Sequence, residues 1–153
     1  MTEYAGNILM VVENLFPQDQ RVRREALKLS ENRHKISVIC LSRKNQKKVE
    51  KWKDISIYRF PKLNIFDKTE IKEGETTARY KTLLRSFIGY SLEYLYFTVG
   101  SFFLSILVFF KEGFDVIHAH NPPDTIFLWA SFYKLLGKKF VYDHHDLAPE
   151  MYL

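Results

Sequence analysis

Four of the chain's five histidines fall in two short clusters, His118 with His120 and His144 with His145. Asp124, Asp143, Asp146 and Glu150 lie among them or just after. Imidazoles beside carboxylates are the groups that move protons, orient hydroxyls or hold a divalent ion. His118 and His120 flank Ala119, so on a strand both point to one face, His120 at the mouth and His118 deeper. At that depth His118 reads first as a satisfied core histidine. His120 opens the loop His120-Asn121-Pro122-Pro123-Asp124, whose two prolines stiffen the chain and hold its polar side chains at fixed angles. His120, Asn121 and Asp124 are therefore candidates for substrate contact. Asp124 equally suits the N-cap of the helix that follows.

His144 and His145 are adjacent, so only one of them faces a given cleft. Asp146 and Glu150 stand four residues apart and share a face if that segment is helical. Upstream, Asp19, Arg21 and Arg24 open an apolar-periodic segment. The free N–H groups of a helix start, with an arginine beside them, suit an anion; surface arginines in salt bridges are the alternative. Glu13-Asn14-Leu15-Phe16-Pro17 contains no glycine where a dinucleotide-binding domain needs its phosphate-cradling turn, which argues against that class.

Strands must position these groups. Short apolar runs at Asn7–Glu13, Lys35–Leu41, Ile55–Phe60, Asp115–His120 and Lys139–Asp143 read as strands, several of them buried on both faces. Between them, Gln20–Asn32 reads as a helix with Asp19 as N-cap and Val22, Ala26 and Leu29 on one face. Ala78–Glu112 reads as a long helix, broken near Gly89 or Gly100. Thr125–Leu136 reads as a helix begun by Asp124 and stopped by Gly137, and Pro61–Thr77 as irregular. Strands alternating with helices imply an α/β fold: a Rossmann-like open parallel sheet, order 3-2-1-4-5, with helices on both faces. In such a sheet ligands bind beyond the carboxyl ends, where the strand order reverses. That rule gathers the loops Asn14–Asp19, Asn121–Asp124 and His144–Glu150.

The 153 residues suit one domain with one modest core, and 16% aromatic content argues against disorder. The net charge is +5. Arg43, Lys44, Lys47, Lys48, Lys51 and Lys53, against Glu50 alone, concentrate it in one segment that reads as a solvated basic loop. No nucleic-acid motif or interleaved aromatics accompany it, so no nucleic acid is expected as a partner. The single cysteine, Cys40, cannot form an internal disulfide and fits a reducing, cytoplasmic compartment. The polar Met1–Asn7 segment is not a signal peptide.

Tyr94–Phe110 carries no charge over seventeen residues, the short edge of a bilayer span. A span there would part the first three strands from the last two and forbid the sheet. The segment is expected to be largely buried against the sheet. Tyr94, Thr98, Ser101 and Ser105 make a thin polar stripe on it, and a helix lying in a membrane interface is the alternative. Exposed Phe102, Phe103, Phe109 and Phe110 would need a partner.

Three segments carry a family resemblance. Pro17-Gln18-Asp19-Gln20-Arg21-Val22-Arg23-Arg24-Glu25-Ala26 resembles the P-x-D-x-R-V-x-x-E-A element of family 4 glycosyltransferases. Asp115-Val116-Ile117-His118-Ala119-His120-Asn121 and Val141-Tyr142-Asp143-His144-His145-Asp146 resemble two further elements of their N-terminal domain, in the same order and spacing. The resemblance implies residues 1–153 as a single, incomplete acceptor-side domain, the N-terminal half of a GT-B fold. It implies sugar transfer from a nucleotide-sugar with retention and with neither metal nor cofactor in the site. His145 then reaches the donor sugar, with Asp146 following, and His120 matches the histidine closing the fourth strand. Asp19, Arg21, Arg24, Asn121, Asp124 and Glu150 fall to the side of a glycan or lipid-linked acceptor. The donor's own site lies in a C-terminal domain that these residues do not include.

Two other readings compete. One is a non-catalytic module, half of a split glycosyltransferase, that docks a partner or a membrane's inner face through the basic loop and the apolar helix. The other is a metal-dependent phosphoesterase, suggested by the triplet Asp143-His144-His145 and the loop His120–Asp124.

Overall fold

A computed structural model describes residues 4–63 and 76–144, with the side chains of 76–86 excepted. Ten elements follow one another. They are β1 (Gly6–Leu15), α1 (Gln20–Glu31), β2 (His34–Ser42), β3 (Val49–Trp52), β4 (Ile55–Pro61), α2 (Thr76–Lys111), β5 (Val116–His120), a single 3-10 turn (Asp124–Ile126), α3 (Phe127–Leu135) and β6 (Lys139–Asp143). The sheet order is β3-β4-β2-β1-β5-β6. Its five parallel strands stand as expected, with helices on both faces.

The sheet has one strand more than expected. The segment read as a solvated basic loop contains β3, which pairs antiparallel with β4 from Val49↔Tyr58 to Trp52↔Ile55. Arg59 is the physical reason. It is buried in β4, donates Nη1 to the Glu50 carboxylate at 2.6 Å and Nη2 to the Phe16 carbonyl at 3.1 Å. A buried guanidinium needs partners, and the loop folds back to supply one. Its lysines remain exposed.

Side chains of β1 alternate between two cores, which is why Ile8–Val12 is apolar without interruption. Leu9 and Val11 join Ile39, Tyr58 and Ile117 beneath α2 and α3. Ile8, Met10 and Val12 join Val38 and Ile57 beneath Val22 and Ala26 of α1. Asp19 caps α1 as expected, accepting from the amides of Arg21 and Val22 at 3.1 and 3.2 Å.

Asp124 does not cap a helix. It opens the 3-10 turn, and its carboxylate turns to Asn121 and Tyr142 instead. Nor does α2 break at either glycine. Gly100 serves close approach: a Cβ there would sit 2.6 Å from the Phe60 ring. Gly100→Ala is therefore expected to destabilise by about 1–2 kcal/mol, the overpacking cost exceeding alanine's gain in helix propensity. Urea melts of the two proteins check this, and a more stable variant refutes the packing argument.

The orientation of α2 also departs from expectation. Only 28% of the most apolar eighteen-residue window within Phe87–Lys111 is buried. The stripe that does face the protein is partly hydroxylic, with Thr98, Ser101 and Ser105 buried beside Phe97 and Val108. Thr98 meets Thr125 at 2.5 Å and Ser105 meets the Tyr133 hydroxyl at 3.0 Å, so the hydroxyls are satisfied inward. The helix does not cross a membrane, because β1 before it and β5 after it are hydrogen-bonded neighbours.

Candidate functional site

The carboxyl ends of β1 and β5 meet where the strand order reverses, and an open groove of about 580 Å³ lies there. Asn14, Asp19 and Arg21 line it from the β1–α1 side, and Asn121 and Pro122 from the β5 loop. Tyr90, Glu93 and Tyr94 of α2 close the third side. Asn14 donates its amide to Asp19 at 3.1 Å, which ties the loop to the helix cap. Two of the three loops expected at this rim are therefore together.

Glu13 faces the same groove. Burial lifts its carboxyl to about 7, against the pull of Lys62 and with the push of Glu93. A carboxyl near neutrality can give or take a proton at working pH. Beside it, Asn121, Asp124 and Tyr142 form a hydrogen-bonded trio. Asn121 donates Nδ2 to Asp124 at 2.5 Å, and Tyr142 donates its hydroxyl to the same Asp124 oxygen. Burial, then the bond to Asp124, pushes the Tyr142 phenol up to about 12, so it remains a donor. This trio fixes the shape of the β5 loop.

A second cluster sits under α1. His118 Nδ1 lies 3.3 Å from Glu25 Oε1, and His120 Nε2 lies 3.8 Å from Glu25 Oε2. His120 Nδ1 lies 3.1 Å from Asp143 Oδ2. Burial, then the neighbouring His118, pushes His120 down to about 4, despite Asp143. The ring is therefore neutral near pH 7. With the Asp143 carboxyl oxygen as acceptor of the Nδ1 proton, the lone pair falls on Nε2. Nε2 has no hydrogen-bond partner among the described residues. Burial also raises Glu25, an effect that His118 and Arg21 oppose and Asp143 reinforces. Glu25, His118, His120 and Asp143 offer atoms within 4.8 Å of one another, a set with the chemistry to hold a divalent cation.

Among the expected site residues, Asp19, Arg21 and Asn121 come together in the groove, and Asp124 stands behind Asn121. Arg24 is exposed on α1 and does not line the groove. His120 is fully buried and meets Glu25 and Asp143, so its ring does not open onto the groove. His145, Asp146 and Glu150 lie outside the described residues. His144 is exposed, its ring 5.9 Å from that of Tyr142.

Reading the residues alone missed Glu25, Glu13 and Tyr142. Glu25 stands four residues after Arg21 on the same helix, but its partners are more than ninety residues away in sequence. Tyr142 lay in plain view inside Val141–Asp146. Only the register His120↔Asp143 carries its strand alongside the β5 loop. Cys40 is buried and its thiol is pushed up to about 11 by that burial, which fits an inert core residue. No protein-family model matches this chain and no curated protein matches it, so the three motifs alone carry the family resemblance.

Proposed function

We propose that this chain is the acceptor-side domain of a sugar-transferring enzyme of GT-B architecture. One observation carries the reading. Two of the three motif segments, through Asp19 and Arg21 and through Asn121, converge on one groove at the switch point of a parallel sheet, where such folds bind ligands. Arg21, Asn14, Tyr90 and Tyr94 give that groove the mixture of charge, amide and phenol that suits a polyhydroxylated acceptor. His145 and Asp146, which come after His144 in the chain, are by the family resemblance the residues that hydrogen-bond the sugar being moved. The acceptor is a glycan or a lipid-linked saccharide. The donor is a nucleotide-sugar held by a second domain, and the setting is the cytoplasmic side of the membrane. The reaction draws on no metal.

The test is transfer itself. The full-length protein, incubated with a panel of nucleotide-sugars and a lipid-linked saccharide extract, is expected to release nucleotide and form an axial or equatorial linkage matching the donor's anomer. EDTA is expected to leave the rate unchanged. Inverted products, or no reaction with any donor, sink the proposal.

The four-residue cluster under α1 favours one rival, the metal-dependent phosphoesterase. Tight Mn²⁺ or Zn²⁺ binding by calorimetry, with metal-stimulated cleavage of a phosphodiester, would select it over sugar transfer.

A further inference from the structure

We propose that the outer face of α2 and α3 is a docking surface for an anionic lipid bilayer, on which the domain lies without crossing it. The inference stands apart from the sugar-transfer reading, because it rests on a different face of the protein.

The outward stripe of α2 is apolar at true helical spacing: Leu92, Leu95, Val99, Phe103, Leu107 and Phe110 are all exposed. Phe103 and Phe110 are 64% and 83% exposed. The hydroxyls of Thr98, Ser101 and Ser105 occupy the opposite side, turned into the protein. A helix of a water-soluble surface has the reverse arrangement. α3 packs beside α2 on the same sheet face, through Phe102 on Trp129 and Phe109 on Tyr133. It adds exposed Leu128, Phe132 and Leu135, the last 86% exposed. Together they make an apolar surface of the kind that marks an interaction site. Along α2, from Phe87 to Phe110, it runs roughly 35 Å.

Charge selects the occupant. Tyr94–Phe110 and Phe127–Leu136 contain no acidic residue. The cations at the edge of the face are Lys111, Lys134 and Lys138. Lys138 reaches Asp115 at 3.6 Å and also lies over the Phe109 ring, a stem on apolar surface with its head at the rim. Lys111 and Lys134 are exposed. A second copy of the chain would bring the same lysines to the joint, where Asp115 is already engaged by Lys138 of its own chain. A bilayer with anionic headgroups receives the phenylalanines and leucines in its interface and the lysines among its phosphates.

Vesicle flotation tests this, using phosphatidylcholine alone and phosphatidylcholine with phosphatidylglycerol added. Wild-type protein is expected to float with the anionic vesicles and to be released in part by salt. Phe103→Ser with Phe110→Ser is expected to weaken binding at least tenfold. Lys111→Gln and Lys134→Gln are each expected to cost about fivefold, and to remove the salt sensitivity together. All four positions are exposed, so the melting temperature should hold and confirm folded protein. Three results overturn the proposal. One is wild-type protein that ignores both vesicles. Another is binding that survives the phenylalanine changes but disappears with Lys47→Ala and Lys48→Ala in the basic segment. The third is a dimer in light scattering that the same phenylalanine changes dissolve.

Discussion

On the sugar-transfer reading, His145→Ala in the full-length enzyme is expected to lower turnover by about a hundredfold or more while the acceptor KM changes little. A hydrogen-bond donor placed against the sugar being transferred acts on charge that develops only as the glycosidic bond breaks, and removing one such donor typically costs that much. Binding of the acceptor at the Asp19–Asn121 groove does not pass through that interaction. Arg21→Ala is the natural contrast. It lines the groove, so its loss should raise the acceptor KM and leave turnover nearly intact. Steady-state rates over a range of acceptor concentrations separate the two patterns. Equal turnover for His145→Ala and wild type would remove His145 from the chemistry.

The second large effect is on stability, and it depends on pH. His120 is pushed down to about 4 from its ordinary 6.5, so the folded chain refuses a proton that the unfolded chain accepts. Stability from this group is complete above about 6.5 and is lost as the pH falls toward 4. The full effect is on the order of 3 kcal/mol. Glu13 and Glu25 act in the opposite sense. Their raised carboxyls favour folding as the pH falls, with Glu13 contributing between about 7 and 4.5. A single melting curve therefore mixes both signs, and the difference between wild type and His120→Gln isolates the histidine. Wild type is expected to lose stability relative to the variant between pH 6.5 and pH 4.5. Parallel profiles would show that burial does not disfavour the imidazolium.

Much of the fold was written in short stretches of chain. Uninterrupted apolar runs such as Ile8–Val12 and Val38–Leu41 belong to strands buried on both faces, and those strands stand in the sheet in the expected order. Asp19 caps α1 because its carboxylate needs only the amides two and three residues on. The placement of Asn14, Asp19, Arg21 and Asn121 at one rim follows from strand order, which short connections and right-handed crossovers constrain strongly. Each of these depends on neighbours within a few residues or on topology that such neighbours dictate.

What the tertiary structure alone decided are matters of partnership. Val49–Trp52 is a strand because buried Arg59 needs Glu50, not because four residues with two charges favour a sheet. Asp124 leaves its helix uncapped because Tyr142, eighteen residues on, offers a hydroxyl. His120 is a buried neutral base because tertiary packing seals its ring from water, and that burial, with His118 beside it, outweighs the pull of Asp143 from a later strand. Periodicity showed that α2 has two faces. That the hydroxyls would turn inward, and Phe103 and Phe110 outward, was set by Thr125 and Tyr133, contacts distant in the chain whose energy no local pattern encodes.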